Sequence, residues 1–216
     1  MYSPVNTTPY DFVYGSYRKW VDINCGFLAW KKELSYEEIT QNDNYQVYSS
    51  VREKLFDLKT DFIKGGKTSK EDFLPLIERA ETMLEEQYHH KMTDKRSIEV
   101  LKKTDASYVK ICRMENARVL TEAINEMKDK RVRCITPILN TADVPLFVPV
   151  IVFPTCRNSL RKYLIENQIY CPVHWPVSTL HSIMPGSKQL FESELSLICD
   201  QRYDNEDMMR IADTIK

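Results

Sequence analysis

No apolar run in this sequence is long enough to cross a bilayer as a helix. The longest, VPLFVPVIVFP, holds 11 residues, three of them proline, where a spanning helix needs about 20 apolar residues. The opening MYSPVNTTPY lacks the positive-then-apolar order of a secretory signal, so the expected location is cytoplasmic, away from membranes. No excess charge of either sign is present. With 30 basic and 31 acidic residues the net charge is −1, which removes the electrostatic case for nucleic acid or an anionic membrane surface. CxxC pairs are missing too. The six cysteines stand apart at 25, 112, 134, 156, 171 and 199 and read as reduced thiols used as small buried hydrophobes, not as a disulfide framework. Internal repeats and low-complexity tracts are also absent. What remains is ordinary globular material: 216 residues, 43% hydrophobic and 28% charged, enough for one large domain or two small ones.

Three textures divide the chain, at residues 1–32, 33–128 and 129–216. The first is aromatic and turn-rich. A strand at Asp11–Tyr14 leads into a Gly15–Ser16 turn, and a second strand lies around Gly26–Trp30. The second texture is helical in period. Val47, Val51, Leu55, Leu58 and Phe62 mark one helix, closed by Gly65–Gly66. Phe73, Leu74, Ile77, Ala80, Met83, Leu84 and Tyr88 mark another. Ser69 and Asp72 are spaced as a capping pair, but Pro75 would then stand beyond the first turn, so Asp72 is the expected cap. A third helix runs from about Asp105 to Met127 with Val109, Cys112, Leu120, Ile124 and Met127 as its stripe. All three stripes read as packing surfaces. The third texture alternates: strand VPLFVPVIVF, helix RNSLRKYLIENQ, strands IYCPVHW and ELSLICD, helix NEDMMRIADTIK. That order predicts a small α+β unit with helices over one face of a mixed or antiparallel sheet. The fold class is mixed α/β.

Several short motifs fail on inspection. KGGKTS carries the end of a phosphate loop, but the first glycine of that motif would stand where Asp61 is, and no strand precedes it. Ser16–Lys19 fits SxxK, yet the SDN partner of that chemistry is missing. His89–His90 has no convergent third ligand nearby. His174 differs, because YCPVHWP sets it inside an apolar strand between two prolines; a satisfied buried histidine is the plain alternative. Lys19 sits in GSYRKW with Arg18 beside it and the rings of Tyr17 and Trp20 on either side. Desolvation and a neighbouring cation both favour the free amine, the form that condenses with a carbonyl. Ser16 offers a hydroxyl and amide to an anion. A surface cation beside a half-buried tryptophan explains the same residues.

GSYRKW, FVPVIVFPTCRNSLRKYLIENQIYCPVHWP and LSLICDQRYDNEDMMRIADTI together resemble the fold-type I pyridoxal-phosphate-dependent aminotransferases, in their DegT-like sugar aminotransferase branch. The resemblance implies that Lys19 forms the imine with the cofactor and shuttles protons. It implies that Ser16 touches the cofactor phosphate with help from Arg18, and that His174, Trp175 and Tyr170 line the substrate side. The cofactor would be pyridoxal 5′-phosphate, the substrates an amino donor and a keto-sugar or related carbonyl acceptor.

Family members carry a long stretch ahead of the lysine that supplies the phosphate turn, an aromatic over the ring and an aspartate on the pyridine nitrogen. Here 18 residues precede Lys19, with Asp11 as their sole acid, and the usual double glycine is reduced to Cys25–Gly26. The expectation is therefore a C-terminal half, from a fragment or a split enzyme. It would have an unpaired edge at Asp11–Tyr14, and would dimerise or pair with a separately encoded N-terminal half. Alone it should bind cofactor weakly and show weak activity or none. The competing reading is a non-catalytic dimerising or interaction module derived from such an enzyme.

Overall fold

A computed structural model of the chain describes residues 9–31, 43–86, 93–140, 143–153, 155–174 and 184–216. Their contacts form two compact units, Asn6–Thr104 and Asp105–Lys216. The change of texture near residue 128 is not the change of packing, because the helix before it packs with the C-terminal sheet.

In the N-terminal unit β1 (Phe12–Ser16) pairs antiparallel with β2 (Gly26–Trp30), in register from Phe12↔Trp30 to Ser16↔Gly26. Gly15 and Ser16 thus continue the strand where the sequence suggested a turn. Glycine allows it by close approach: a Cβ on Gly26 would stand 2.5 Å from the Gly15 carbonyl oxygen. Next come α1 (Asp43–Ile63) and α2 (Lys70–Glu86), packed together through Tyr48, Val51 and Ala80. Gly65, at φ 73°, ends α1, and Asp61 accepts from both the Thr68 amide and hydroxyl. KGGKTS is a helix stop.

The cap of α2 is Ser69, not Asp72. The Ser69 amide and hydroxyl both donate to Asp72 Oδ2, at 2.7 and 2.9 Å, and hold that carboxyl below its ordinary pKa. Pro75 therefore falls inside the helix, and the bond it omits is on an exposed side where water can serve the carbonyl. Leu74 and Val47, expected on the packed faces, are exposed. A helix without a long apolar stripe, α3 (Lys95–Lys103), was not foreseen; Asp94 caps it by accepting from the Ser97 amide.

The C-terminal unit begins with α4 (Ala106–Glu126), capped by Asp105. It continues through β3 (Val132–Cys134), β4 (Phe147–Val152), α5 (Arg157–Glu166), α6 (Pro185–Ser193), β5 (Glu194–Ile198) and α7 (Asn205–Ile215). The sheet order is β3-β4-β5, antiparallel throughout. Along β4, Val148, Val150 and Val152 are buried while Phe147, Pro149 and Ile151 are partly exposed. Leu195 and Leu197 of β5 extend the valine face, and onto it pack Ala117, Leu120 and Ile124 of α4, Leu164 of α5, and Met208, Ile211 and Ala212 of α7.

Two elements, β3 and α6, were missed. The ladder of β3 ends early because Pro149 lies opposite: its carbonyl accepts from the Ile135 amide, but it has no N–H to return. Of IYCPVHW, expected as a strand, the described residues 169–174 belong to no strand. A backbone bond joins them to β5, from the Ser196 amide to the Pro172 carbonyl at 3.3 Å, and Pro172 cannot donate in turn. The segment shields the outer edge of β5 without completing a ladder.

Before α7, Asn116 donates to the carbonyls of Asp200 and Tyr203, and Arg202 makes a two-pronged bond to Asp200 at 2.8 and 2.6 Å. Burial pushes the Asp200 carboxyl upward; the Arg202 bonds and charge outweigh it and leave the pKa below its usual value. A carboxyl with a depressed folded pKa stabilises above its unfolded pKa and loses that contribution as pH falls through the folded one. The stability of wild type over Asp200→Asn should accordingly shrink below about pH 4, as measured by urea unfolding across pH. Leu120, which has no exposure, should cost about 2–5 kcal/mol when cut to alanine, read from the denaturation midpoint.

Candidate functional site

Residues 17–25 form the loop between β1 and β2. Tyr17–Lys19 is a single 3-10 turn, with the Trp20 and Val21 amides both donating to the Tyr17 carbonyl. The Tyr17 amide donates to the Cys25 carbonyl at 3.0 Å, closing the loop, and Ile23 has no exposure. Asn24 is the anchor. Its amide donates to Ser97 Oγ at 2.8 Å, and its Oδ1 accepts from Arg52 Nε at 3.0 Å and from the Tyr48 hydroxyl. Ser97 Oγ donates in turn to Asp94 Oδ2 at 2.7 Å. Arg52, Asp94 and Ser97 are all buried, and the guanidinium groups of Arg52 and Arg96 both lie about 5 Å from the Phe56 ring, at 4.8 and 5.0 Å. One loop is therefore tied to α1 and α3 by polar groups that would be costly to leave unpaired.

That loop brings Ser16, Arg18 and Lys19 together. Ser16 is exposed at the end of β1, and Lys19 is exposed on the turn. Arg18 pairs with Glu81 of α2 at 3.6 Å, so its charge already has a partner of opposite sign. The Tyr17 ring packs on Phe27, with centroids 5.2 Å apart. The desolvation expected around Lys19 is not supplied by its own unit. The same hairpin leaves Phe12, Tyr14, Leu28 and Trp30 exposed on one face, and among the described residues β1 and β2 pair only with each other.

In the C-terminal unit His174 is half-buried on the outer face of the sheet. Its ring packs on Phe147, centroids 4.8 Å apart, and its Nδ1 lies 3.0 Å from Ser196 Oγ. Ser196 donates to Glu194 Oε1 at 2.5 Å. Glu194 and Ser196 are site residues that the sequence reading missed, although they hold the polar positions in the alternation of ELSLI. Tyr170 lies elsewhere, in a crevice with Tyr203, Asp207 and Arg210. Trp175, His89 and His90 lie outside the described residues. Burial pushes the Cys171 and Cys199 thiols up to about 12, which leaves them unreactive. Among the described residues no cluster could hold a metal ion, and no helix is long and apolar enough to cross a membrane.

No protein-family model matches the chain, and no curated protein matches it. Solved structures do. The putative sugar aminotransferase Spr1654 of Streptococcus pneumoniae, in its PMP form, aligns over 97% of this chain and 53% of its own, with a TM-score of 0.51 and 16% identity. The chain shares the fold of that half. Helicobacter pylori PseC, an aminotransferase involved in the biosynthesis of pseudoaminic acid, aligns over 55% of this chain and 34% of its own, with a TM-score of 0.48 and 19% identity. The chain thus spans between 34% and 53% of the length of these two enzymes.

Asn24→Ala should leave the buried Arg52 Nε without its acceptor and destabilise the N-terminal unit by about 1–3 kcal/mol. Urea unfolding measures the loss, and amide exchange across residues 17–25 should rise while α4 is unaffected.

Proposed function

We propose that the chain is the lysine-bearing and substrate-facing part of a pyridoxal-phosphate-dependent aminotransferase that moves an amino group onto a keto-sugar or related carbonyl. The carrying observation is Lys19 presented on a short turn whose loop is pinned by a buried polar network. The fold shared with half of a putative sugar aminotransferase and the imidazole of His174 on the outer sheet face support the same reading.

The residues present fit one edge of the cofactor. Lys19 would hold its aldehyde carbon and Ser16 its phosphate, while Arg18 is turned toward Glu81. When bound, the cofactor supplies an electron sink for the carbon that exchanges its amino group. Lys19 is the amine placed to take and return the proton at that carbon. His174 lies on the substrate side and binds polar groups there. The phosphate turn and the acid for the pyridine nitrogen come from a complementary segment, in the same or a separate polypeptide. That segment, or a second copy, covers the exposed face of Phe12, Tyr14, Leu28 and Trp30 and withdraws Lys19 from water, because a contiguous apolar face of this kind marks an interface.

The exposure of Lys19 and the pairing of Arg18 favour a second reading, a non-catalytic module of the same descent. Titration with pyridoxal phosphate separates the two. The proposed function predicts a weak visible imine band, with far less than one cofactor bound per chain at equal concentrations. Borohydride should trap the adduct at residue 19, and Lys19→Ala should abolish it. Identical spectra for wild type and Lys19→Ala would leave the non-catalytic module.

A further inference from the structure

Glu194 and Ser196 stand two residues apart on β5, so alternation places both side chains on the sheet face away from Leu195 and Leu197. The Ser196 side chain has one proton and two candidate partners, Glu194 Oε1 at 2.5 Å and His174 Nδ1 at 3.0 Å. A carboxylate accepts and does not donate. The hydroxyl proton therefore belongs to Glu194, in a bond whose length is that of a charge-assisted pair. Having spent its proton, Ser196 Oγ can meet His174 only as an acceptor, so the imidazole carries its proton on Nδ1. The lone pair of the neutral ring is then on Nε2, and no described residue takes up that nitrogen. Phe147 against the ring holds its plane, and Ser196 itself is 3% exposed, so water does not compete easily for the hydroxyl.

We propose that Glu194 and Ser196 are positioning residues that fix His174 as the Nδ1-protonated tautomer and present Nε2 as a hydrogen-bond acceptor. In the amino-transfer reading, on which this last clause rests, Nε2 would accept from a hydroxyl of the carbonyl substrate, the commonest donor on a sugar. A ring of the opposite tautomer would offer N–H there and favour a carbonyl or carboxylate instead. The relay thus selects the chemical class of group that the imidazole binds.

Two-bond nitrogen–proton correlation spectra of the ¹⁵N-labelled chain, at mildly alkaline pH and without cofactor, read the tautomer directly. His174→Gln identifies the signals by their loss. Wild type should show the Nδ1–H pattern as the major form. Ser196→Ala should shift the ring toward Nε2–H, the form favoured by free imidazole side chains, and Ser196→Thr should restore Nδ1–H. Glu194→Ala frees the serine proton to point at Nδ1 and should shift the ring the same way, which decides the matter even if Ser196→Ala does not fold. A wild-type ring protonated mainly at Nε2, or a pattern unchanged in Glu194→Ala, overturns the proposal. None of these readings depends on cofactor binding, so a chain that fails to bind pyridoxal phosphate can still pass or fail them.

Discussion

Val150 has no exposure, and the residues on either side of it do. That alternation along the central strand is the constraint on which the C-terminal unit depends. It gives one face of the sheet to α4, α5 and α7 and leaves the other for polar chemistry. Cross-strand register then carries the division to β5, where Leu195 and Leu197 face inward and Glu194 and Ser196 outward. A one-residue slip would exchange the two sets and bury a carboxylate in an apolar core. The proline in the middle of β4 is tolerated because its missing N–H faces the end of β3, and the pairing toward β5 does not need it. The same geometry turns the Ser196 amide outward, to the Pro172 carbonyl, and so brings the segment bearing His174 alongside.

The N-terminal unit solves a different problem with different forces. Its β1–β2 hairpin has little apolar burial of its own, and Ile23 is the one loop residue with a fully buried side chain among those described. Directional bonds replace the missing core. Asn24, Ser97, Asp94 and Arg52 each satisfy another buried polar group, so the loop has few alternative positions. Rigidity there and exposure of Lys19 are compatible: the frame is fixed by this unit, while the dielectric around the amine is left to whatever covers the hairpin. A site divided in this way holds a reactive group in place without activating it.

Much of this was legible in the sequence, and the failures have physical causes. Long stripes such as Leu120–Ile124 and runs such as VPVIV announce burial through period alone, so α4, β4, α5 and α7 stand close to where they are expected. α3 escaped because its face is too short and too charged to show a stripe, and β3 because three residues carry no period. IYCPVHW has the composition of a strand, but Pro172 denies it a donor that a ladder requires. At Ser69–Pro75 the cap outweighed the proline, since two bonds to one carboxylate offset a single missing bond that water can replace. A turn near the lysine was expected, but at Gly15–Ser16 and not at Tyr17–Lys19; the Asn24 network behind it was not legible, because its members are up to 73 residues apart. Glu194 and Ser196 look like ordinary outward positions until the partner segment is placed beside them.

The two units also differ in when they can be completed on the ribosome. The N-terminal one is contiguous and ends at Thr104. The other cannot seal its core until α7 has emerged, since Met208, Ile211 and Ala212 cover α4 and the sheet. During the intervening synthesis the part of α4 that α7 covers stays open. Nascent chains stalled between residues 126 and 205 are the ones a chaperone would be expected to hold.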